Sequence, residues 1–332
     1  MPIQPHSSWN IKDSSKLEAF QRCNRYYFYR YVLGWHPDTP AQDLFFGEAW
    51  HRAREVQLLL GYDKIAEAYE AFEAYYRKYV APEDDIIYRP KEPAAVLAAL
   101  IKLNAEYYHD LNENEVVVLD GEKMTEIAGT VPVSESQVLH YRMDSIMRNH
   151  DSGKVFSWDH KTTSERYING RQWGDQFYLS LQNGTYTHCL YCLFPIEEVL
   201  GIEFYGVGFA YLSRGSANRG PGHHATFRKV PAFKDPTQMN SWLWTVNNLL
   251  GAIDVEMDEL THCKESDSTL TAFPMNGTSC TDYRSCEFHD YCLAWQNPLQ
   301  QAYEPPLGFT EEYWDPSKRE AHVVKNLKMG GK

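Results

Sequence analysis

Two periods of apolar residues divide this chain. Residues 1–13 carry no regular pattern, but from Ser15 onward apolar positions recur at three- and four-residue steps, the spacing of amphipathic helices. Ser15-Lys16-Leu17-Glu18 has capping-box spacing and predicts a helix running to about Val32. Three more helices are predicted over residues 43–60, 62–80 and 92–113, interrupted at Gly61 and by the loop from Pro82 to Pro93. The pattern then turns to strands, over residues 115–119, 122–133, 138–147 and 154–161. Asp151-Ser152-Gly153 supplies the turn between the last two. A helix over 172–193 places Gln182, Tyr186, Cys189 and Leu193 on one stripe; strands over 202–213 and 224–230 and a helix over 236–262 follow. The chain is therefore read as α/β. It has a helical N-terminal part (1–113), a core of strands and helices (114–262), a cysteine-rich segment (263–310) and a flexible tail (311–332). No internal repeat is evident.

The candidate chemistry lies in Trp158-Asp159-His160-Lys161. Side chains alternate faces along a strand, so Asp159 and Lys161 point the same way. In an antiparallel hairpin of 138–147 with 154–161, Asp144 lies beside Asp159. Two carboxylates and a lysine suit a magnesium-dependent phosphodiesterase: hard oxygen ligands hold the ion, and the lysine orients or activates the attacking water. A D-x-K triplet alone is a weak signal, because many strands carry one as a solvated charge pair. Its surroundings strengthen it. Gly47 and His51 give G-x-x-x-H on a predicted helix, with Glu55 on the same face, and Gln182 and Tyr186 give Q-x-x-x-Y on another.

This order of elements, G-x-x-x-H, Asp, D-x-K, Q-x-x-x-Y, resembles the RecB-like PD-(D/E)XK nuclease superfamily, and in particular its iron–sulfur branch of AddB-type and CRISPR adaptation-type exonucleases. The resemblance implies a restriction-endonuclease-like core: a central mixed β-sheet flanked by helices, with a helical N-terminal subdomain and a cysteine-rich C-terminal segment. It implies that Asp144 and Asp159 coordinate Mg2+ or Mn2+ with His51 as a further ligand, that Lys161 serves catalysis, and that Gln182 and Tyr186 brace the site or meet the DNA backbone. The activity implied is an exonuclease of DNA recombination, repair or processing, acting on single-stranded DNA or DNA with a single-stranded end, with a helicase or recombination partner. Two other readings stand beside it: an overhang-trimming endonuclease of the CRISPR adaptation type, and a non-catalytic module that grips DNA ends.

Seven cysteines in a chain with no secretory or membrane-spanning apolar run point to a cytoplasmic protein without a disulfide framework. Cys280, Cys286 and Cys292 cluster among turns at Asn276-Gly277 and Tyr283-Arg284-Ser285. Thiolates are the ligands of [4Fe–4S] clusters and of structural zinc. In the resembled family one early cysteine and three late ones share a cluster, which makes Cys23 the fourth ligand here. Five residues separate Cys280 from Cys286, where the family pattern has two. His289 lies inside the segment and offers a Cys3His zinc site as the alternative. Cys189 and Cys192, a C-x-x-C late in a helix, read as buried inert thiols. Cys23 itself sits in a run of basic and aromatic residues from Arg22 to Tyr31, read as a core-facing stripe with its arginines snorkelling to solvent. The net charge of −13 argues against indiscriminate nucleic-acid binding but leaves room for a local basic groove. Within the Gly-rich stretch 214–224, which lacks the G-K-[ST] of a phosphate loop, Arg214 and Arg219 could touch a backbone phosphate.

Overall fold

The computed structural model describes residues 3–39, 41–215, 218–281, 285–318 and 321–329. Parts of three readings lie outside the described residues: Ser216 and Ala217 of the Gly-rich stretch, Tyr283 and Arg284 of the turn between cysteines, and residues 319, 320 and 330–332 of the tail.

Helices α1 (Ser14–Arg22) and α2 (Asn24–Tyr27) lead into a π-helical turn, Phe28–Val32. Strand β1 (Trp35–Pro37) precedes helices α3 (Gln42–Leu60), α4 (Ile65–Tyr76), α5 (Pro93–Glu106) and α6 (Asp110–Glu113). Six strands follow: β2 (Asn114–Val116), β3 (Val118–Leu119), β4 (Glu122–Lys123), β5 (Thr125–Pro132), β6 (Val138–Asn149) and β7 (Val155–Ser164). Helices α7 (Glu165–Ile168), α8 (Arg171–Tyr178) and α9 (Leu181–Leu193) lead to β8 (Val199–Leu212), β9 (Gly222–Phe233) and α10 (Pro236–His262). The chain closes with α11 (His289–Ala294), β10 (Phe309–Glu311) and β11 (Val323–Val324).

The chain divides into two compact units, each assembled from separated stretches. The larger comprises Ala41–Ala128, Arg142–Asp235 and Ala321–Lys332. Its mixed sheet has the order β11-β5-β6-β7-β8-β9, with β2 also on β6. The β6–β7 and β8–β9 pairs are antiparallel, and β7–β8 and β11–β5 are parallel. Helices cover both faces, as alternation along β8 requires. Tyr205, Val207 and Phe209 join a core with Phe46, Trp50 and Phe72 of α3 and α4. The alternate residue Phe204 stacks on Phe177 of α8, with ring centroids 4.1 Å apart. Gly206 and Gly208 share that second face because the helices approach too closely for a side chain. A Cβ at Gly206 would stand 2.2 Å from the Trp173 ring, and one at Gly208 would stand 2.5 Å from Ile168 and 2.9 Å from the Glu165 backbone. The fold is thus the expected sheet flanked by helices.

The smaller unit comprises Met1–Pro40, Gly129–Tyr141 and Pro236–Glu320. Here three basic side chains of the N-terminal segment do not snorkel, whereas Arg22 is only partly buried. Lys16, Arg25 and Arg30 are buried and donate to backbone carbonyls: Lys16 Nζ to Ser8 and Ile11 (2.6 and 2.7 Å), Arg25 to Phe273 and Leu270 (2.9 and 3.2 Å), and Arg30 to Glu312 (2.8 Å). A buried cation with no carbonyl partner would cost several kcal/mol, so these bonds fix the path of the loops that supply them.

Several boundaries differ from the sequence reading. Asp13, not Ser15, caps α1, its carboxylate accepting from Lys16 N at 2.8 Å. The helix expected to reach Val32 breaks at Cys23, whose backbone is extended. The helix expected over 172–193 is two, because Ser180 takes an extended conformation and caps α9. Arg219 forms an ion pair with Glu165, at 2.6 Å through NH1, rather than standing free for a phosphate. Residues 311–332, read as a flexible tail, supply β11 to the larger unit's sheet. The contiguous blocks drawn from the sequence cross these units, because pairing of distant segments rather than chain order groups the elements.

The close approach at β8 yields a prediction. Gly208→Ala is expected to destabilise the protein by about 2 kcal/mol, since the methyl meets backbone and cannot be accommodated by a rotamer change. Urea denaturation measures it; unchanged stability would mean that α7 is not held against the sheet.

Candidate active site

The site forms where α3 crosses the hairpin of β6 and β7. The register pairs Ser145 with Trp158, and Asp144 and Asp159 are the next residues along their strands. Asp144 Oδ2 accepts from His160 N at 2.6 Å, which fastens that carboxylate to the neighbouring strand. Helix α3 passes near β7 at Gly47, where a Cβ would lie in ordinary contact with Thr162 Oγ1 at 3.6 Å. One turn on, His51 Nδ1 lies 3.0 Å from Asp144 Oδ1. The G-x-x-x-H spacing thus sets Gly47 beside β7 and His51 beside the carboxylate.

Lys161 continues the constellation. Its ammonium lies 2.7 Å from Asp159 Oδ2 and donates to Gln182 Oε1 at 3.1 Å. The Gln182 amide donates in turn to Tyr186 OH at 3.0 Å. Because α9 begins at Leu181, its first two turns present Gln182 and Tyr186 to the lysine as one connected polar row. All the residues singled out from the sequence for the nuclease site therefore meet in the larger unit: His51, Asp144, Asp159, Lys161, Gln182 and Tyr186.

Sequence reasoning missed Glu126. One donor atom each from His51, Glu126 and Asp144 fall within 4.8 Å of one another, a group that can hold a cation. Glu126 is 1% exposed, and Arg142 NH2 donates to its Oε2 at 2.6 Å. Its φ of +45° breaks the strand's alternation, so that Thr125, Glu126 and Ile127 are all buried in succession. A period-two reading assigns neighbours to opposite faces and cannot find such a residue. Asp159, expected as a ligand, stands beside the group with its carboxylate on Lys161.

The electrostatics follow from burying three carboxylates together. Burial opposes charge on His51, but the adjacent Asp144 carboxylate outweighs it and holds the imidazole up at about 9. Burial likewise works against ionised Asp144, yet His51 keeps it well below the usual carboxylate range. Burial pushes Asp159 up to about 6, with Lys161 restraining the rise and Asp144 adding to it. Glu126 is raised by burial and then by Asp144, against the pull of His51 and Arg142. Imidazole nitrogen and carboxylate oxygens suit Mg2+ or Mn2+, the latter accepting nitrogen more readily.

Cys23, Cys280, Cys286 and Cys292 lie in the smaller unit. Cys23 Sγ accepts from Asn276 N at 3.3 Å, and Cys286 N donates to Cys280 O at 2.9 Å. Burial pushes the Cys292 thiol up to about 11; Arg25 opposes the rise, and Cys23, Cys286 and Cys280 reinforce it. The Cys292 thiol is thus within the field of the other three. The His289 imidazole bonds its neighbour Asp290 instead, at 3.1 Å. Cys189 is fully buried, and burial followed by Cys192 raises its thiol far above the ordinary value, as an inert core cysteine requires; Cys192, also read as buried, is only partly so because it lies near the partly exposed end of α9.

A family model of the PD-(D/E)XK nuclease superfamily matches residues 14–293, and the chain belongs to that superfamily. Comparison with the curated proteins returned no match.

The ion pair at the centre predicts a pH dependence. A histidine raised from 6.5 to about 9 contributes stability that is fully present below 6.5 and is lost as pH rises through about 9. In chelator-treated protein, the stability lost on His51→Ala is expected to be largest at about pH 6 and to fade by about pH 10. Urea titrations at both pH values measure it, and equal losses would exclude the pairing.

Proposed function

We propose that the larger unit hydrolyses phosphodiester bonds in DNA, with Mg2+ or Mn2+ held by His51, Glu126 and Asp144 and with Asp159 alongside. The observation that carries this reading is the donor group within 4.8 Å, next to an ammonium fixed between a carboxylate and an amide. The ion, when bound, supplies Lewis-acid stabilisation of the charge that develops on the phosphoryl oxygens. The remaining work falls to the chain. Lys161, restrained by Asp159 and Gln182, orients the attacking water and places a positive charge beside the reacting phosphate. Tyr186 holds Gln182, and so sets the position of the lysine from behind. Retention of Asp144, Asp159 and Lys161 together supports catalysis over a purely DNA-gripping role, which needs none of them. Among the described residues no helix is long and apolar enough to cross a membrane.

The finer reading is an exonuclease carrying a [4Fe–4S] cluster on Cys23, Cys280, Cys286 and Cys292. It is supported by the resemblance in the order of motifs, by the contact of Asn276 N with Cys23 Sγ at 3.3 Å, and by the influence of Cys23, Cys286 and Cys280 on the Cys292 thiol. The turn of His289 toward Asp290 favours four sulfurs over a Cys3His zinc site. Such a cluster would join residue 23 to the segment 280–292 and thereby close a very long loop, so its loss would weaken the fold broadly.

Two experiments test these readings. With end-labelled single- and double-stranded DNA and Mg2+ or Mn2+, Lys161→Ala is expected to lower cleavage on the order of 10²- to 10⁴-fold while DNA binding persists. Near-normal cleavage would sink the assignment. Stepwise shortening from an end marks the exonuclease, whereas internal cuts mark the endonuclease alternative. Protein purified without oxygen is expected to be brown from thiolate-to-iron charge transfer. Cys23→Ser should bleach it, and Cys189→Ser should not. Colourless protein with stoichiometric zinc would replace the cluster with the Cys3His site.

A further inference from the structure

The strand that carries Glu126 is held from the far end of the chain. β11 lies parallel to β5, with Val323 opposite Ile127 and Val324 opposite Ala128. His322 N donates to Glu126 O at 3.0 Å, and Lys325 N donates to Ala128 O at 2.8 Å. The first of these bonds grips the residue whose φ is +45°, a backbone state that persists only where its surroundings enforce it. That state buries Glu126 alongside its two neighbours, where its carboxylate comes within reach of His51 and Asp144.

The His322 side chain makes a second tie. Its Nδ1 lies 2.5 Å from Glu55 Oε1, which also accepts from Thr125 Oγ1 at 2.9 Å. Glu55 stands one helical turn beyond His51 on α3, and Thr125 immediately precedes Glu126. A single residue thus couples the helix bearing His51 to the strand bearing Glu126, two of the three members of the donor group. Val323, 5% exposed, anchors the segment in the sheet, while the His322 side chain is 52% exposed and can be changed without opening a core.

We propose that His322 is a positioning residue for the metal site, acting through Glu126 and Glu55. The proposal rests on the reading of His51, Glu126 and Asp144 as the metal-holding group. Magnesium and manganese bind well only to donors already near their final geometry, and loss of an outer partner that orients a ligand lowers affinity by about 10- to 100-fold.

The test is Mn2+ affinity of the full chain without DNA, read from the electron paramagnetic resonance of free Mn2+, together with the thermal unfolding midpoint. Wild type is expected to bind and Asp144→Asn to lose binding, which establishes the donor group. His322→Ala should then weaken Mn2+ binding by about tenfold with its midpoint nearly unchanged, and His322→Asn, which keeps a donor near the Nδ1 position, should recover most of the affinity. Mn2+ affinity of His322→Ala within twofold of wild type would overturn the positioning role while leaving the site intact, as would a loss matched by an equal loss in Asn. Undiminished binding by Asp144→Asn would overturn the donor group itself, and the positioning role with it.

Discussion

The interaction on which the larger unit's arrangement depends is the pairing of His51 with Asp144. Glu126, Asp144 and Asp159 are drawn into one region of low exposure, and each buried ion costs several kcal/mol unless a partner repays it. Each finds one: Arg142 for Glu126, His51 for Asp144 and Lys161 for Asp159. The backbone amide of His160 adds a further donor to Asp144. The carboxylates can therefore lie close together in the folded chain, a separation that mutual repulsion alone would not permit. A helix, a hairpin and a third strand are tied at this point because each supplies one member of a pair.

The same rule governs the sheet behind the site. Asp110 is buried, and it accepts from Tyr205 OH at 2.8 Å and from Lys229 Nζ at 2.6 Å. Arg54, 1% exposed, donates to Gln57 and Tyr62 and lies over the Tyr205 ring at 5.2 Å. These groups form a satisfied polar layer between α3, α6 and β8. Its nearness bears on His160, whose imidazole is kept neutral by burial and then by the Arg54 charge. A neutral His160 adds no third cation to the Asp144–Asp159 pair, so those carboxylates stay available to the groups in front of them.

In the smaller unit, backbone carbonyls take the place that carboxylates hold in the larger. Arg25 and Arg30 each hold a segment more than two hundred residues away in the chain, through carbonyls of Phe273, Leu270 and Glu312. This places the break in the helix at Cys23 beside the loop that carries Cys280 and Cys286, with Asn276 binding both Cys23 Sγ and the Arg22 carbonyl. The interleaved basic residues thus fasten the N-terminal helices to the loops at 270–276 and at Glu312. The aromatic rings, Tyr29 stacked on Trp35 and Tyr26 edge-on to Phe288, fill the space between.

How much of this was legible beforehand follows from which forces are local. The β6–β7 hairpin, the shared face of Asp159 and Lys161, and the one-turn spacing of Gly47 to His51 and of Gln182 to Tyr186 are written in periods of two and of nearly four, which strands and helices impose on any sequence. So the composition of most of the site could be read directly, as could a sheet flanked by helices. Glu126 could not, because its positive φ cancels the alternation that such a reading relies on. His322 could not, because its place beside Glu126 and Glu55 comes from a parallel pairing of segments nearly two hundred residues apart. Nor could the buried arginines, since whether a cation meets solvent or a carbonyl depends on loops remote in sequence. The chain alone determined which side chains share a face; only the tertiary structure decided which faces meet, because long-range pairing and the compensation of buried charge have no period to read.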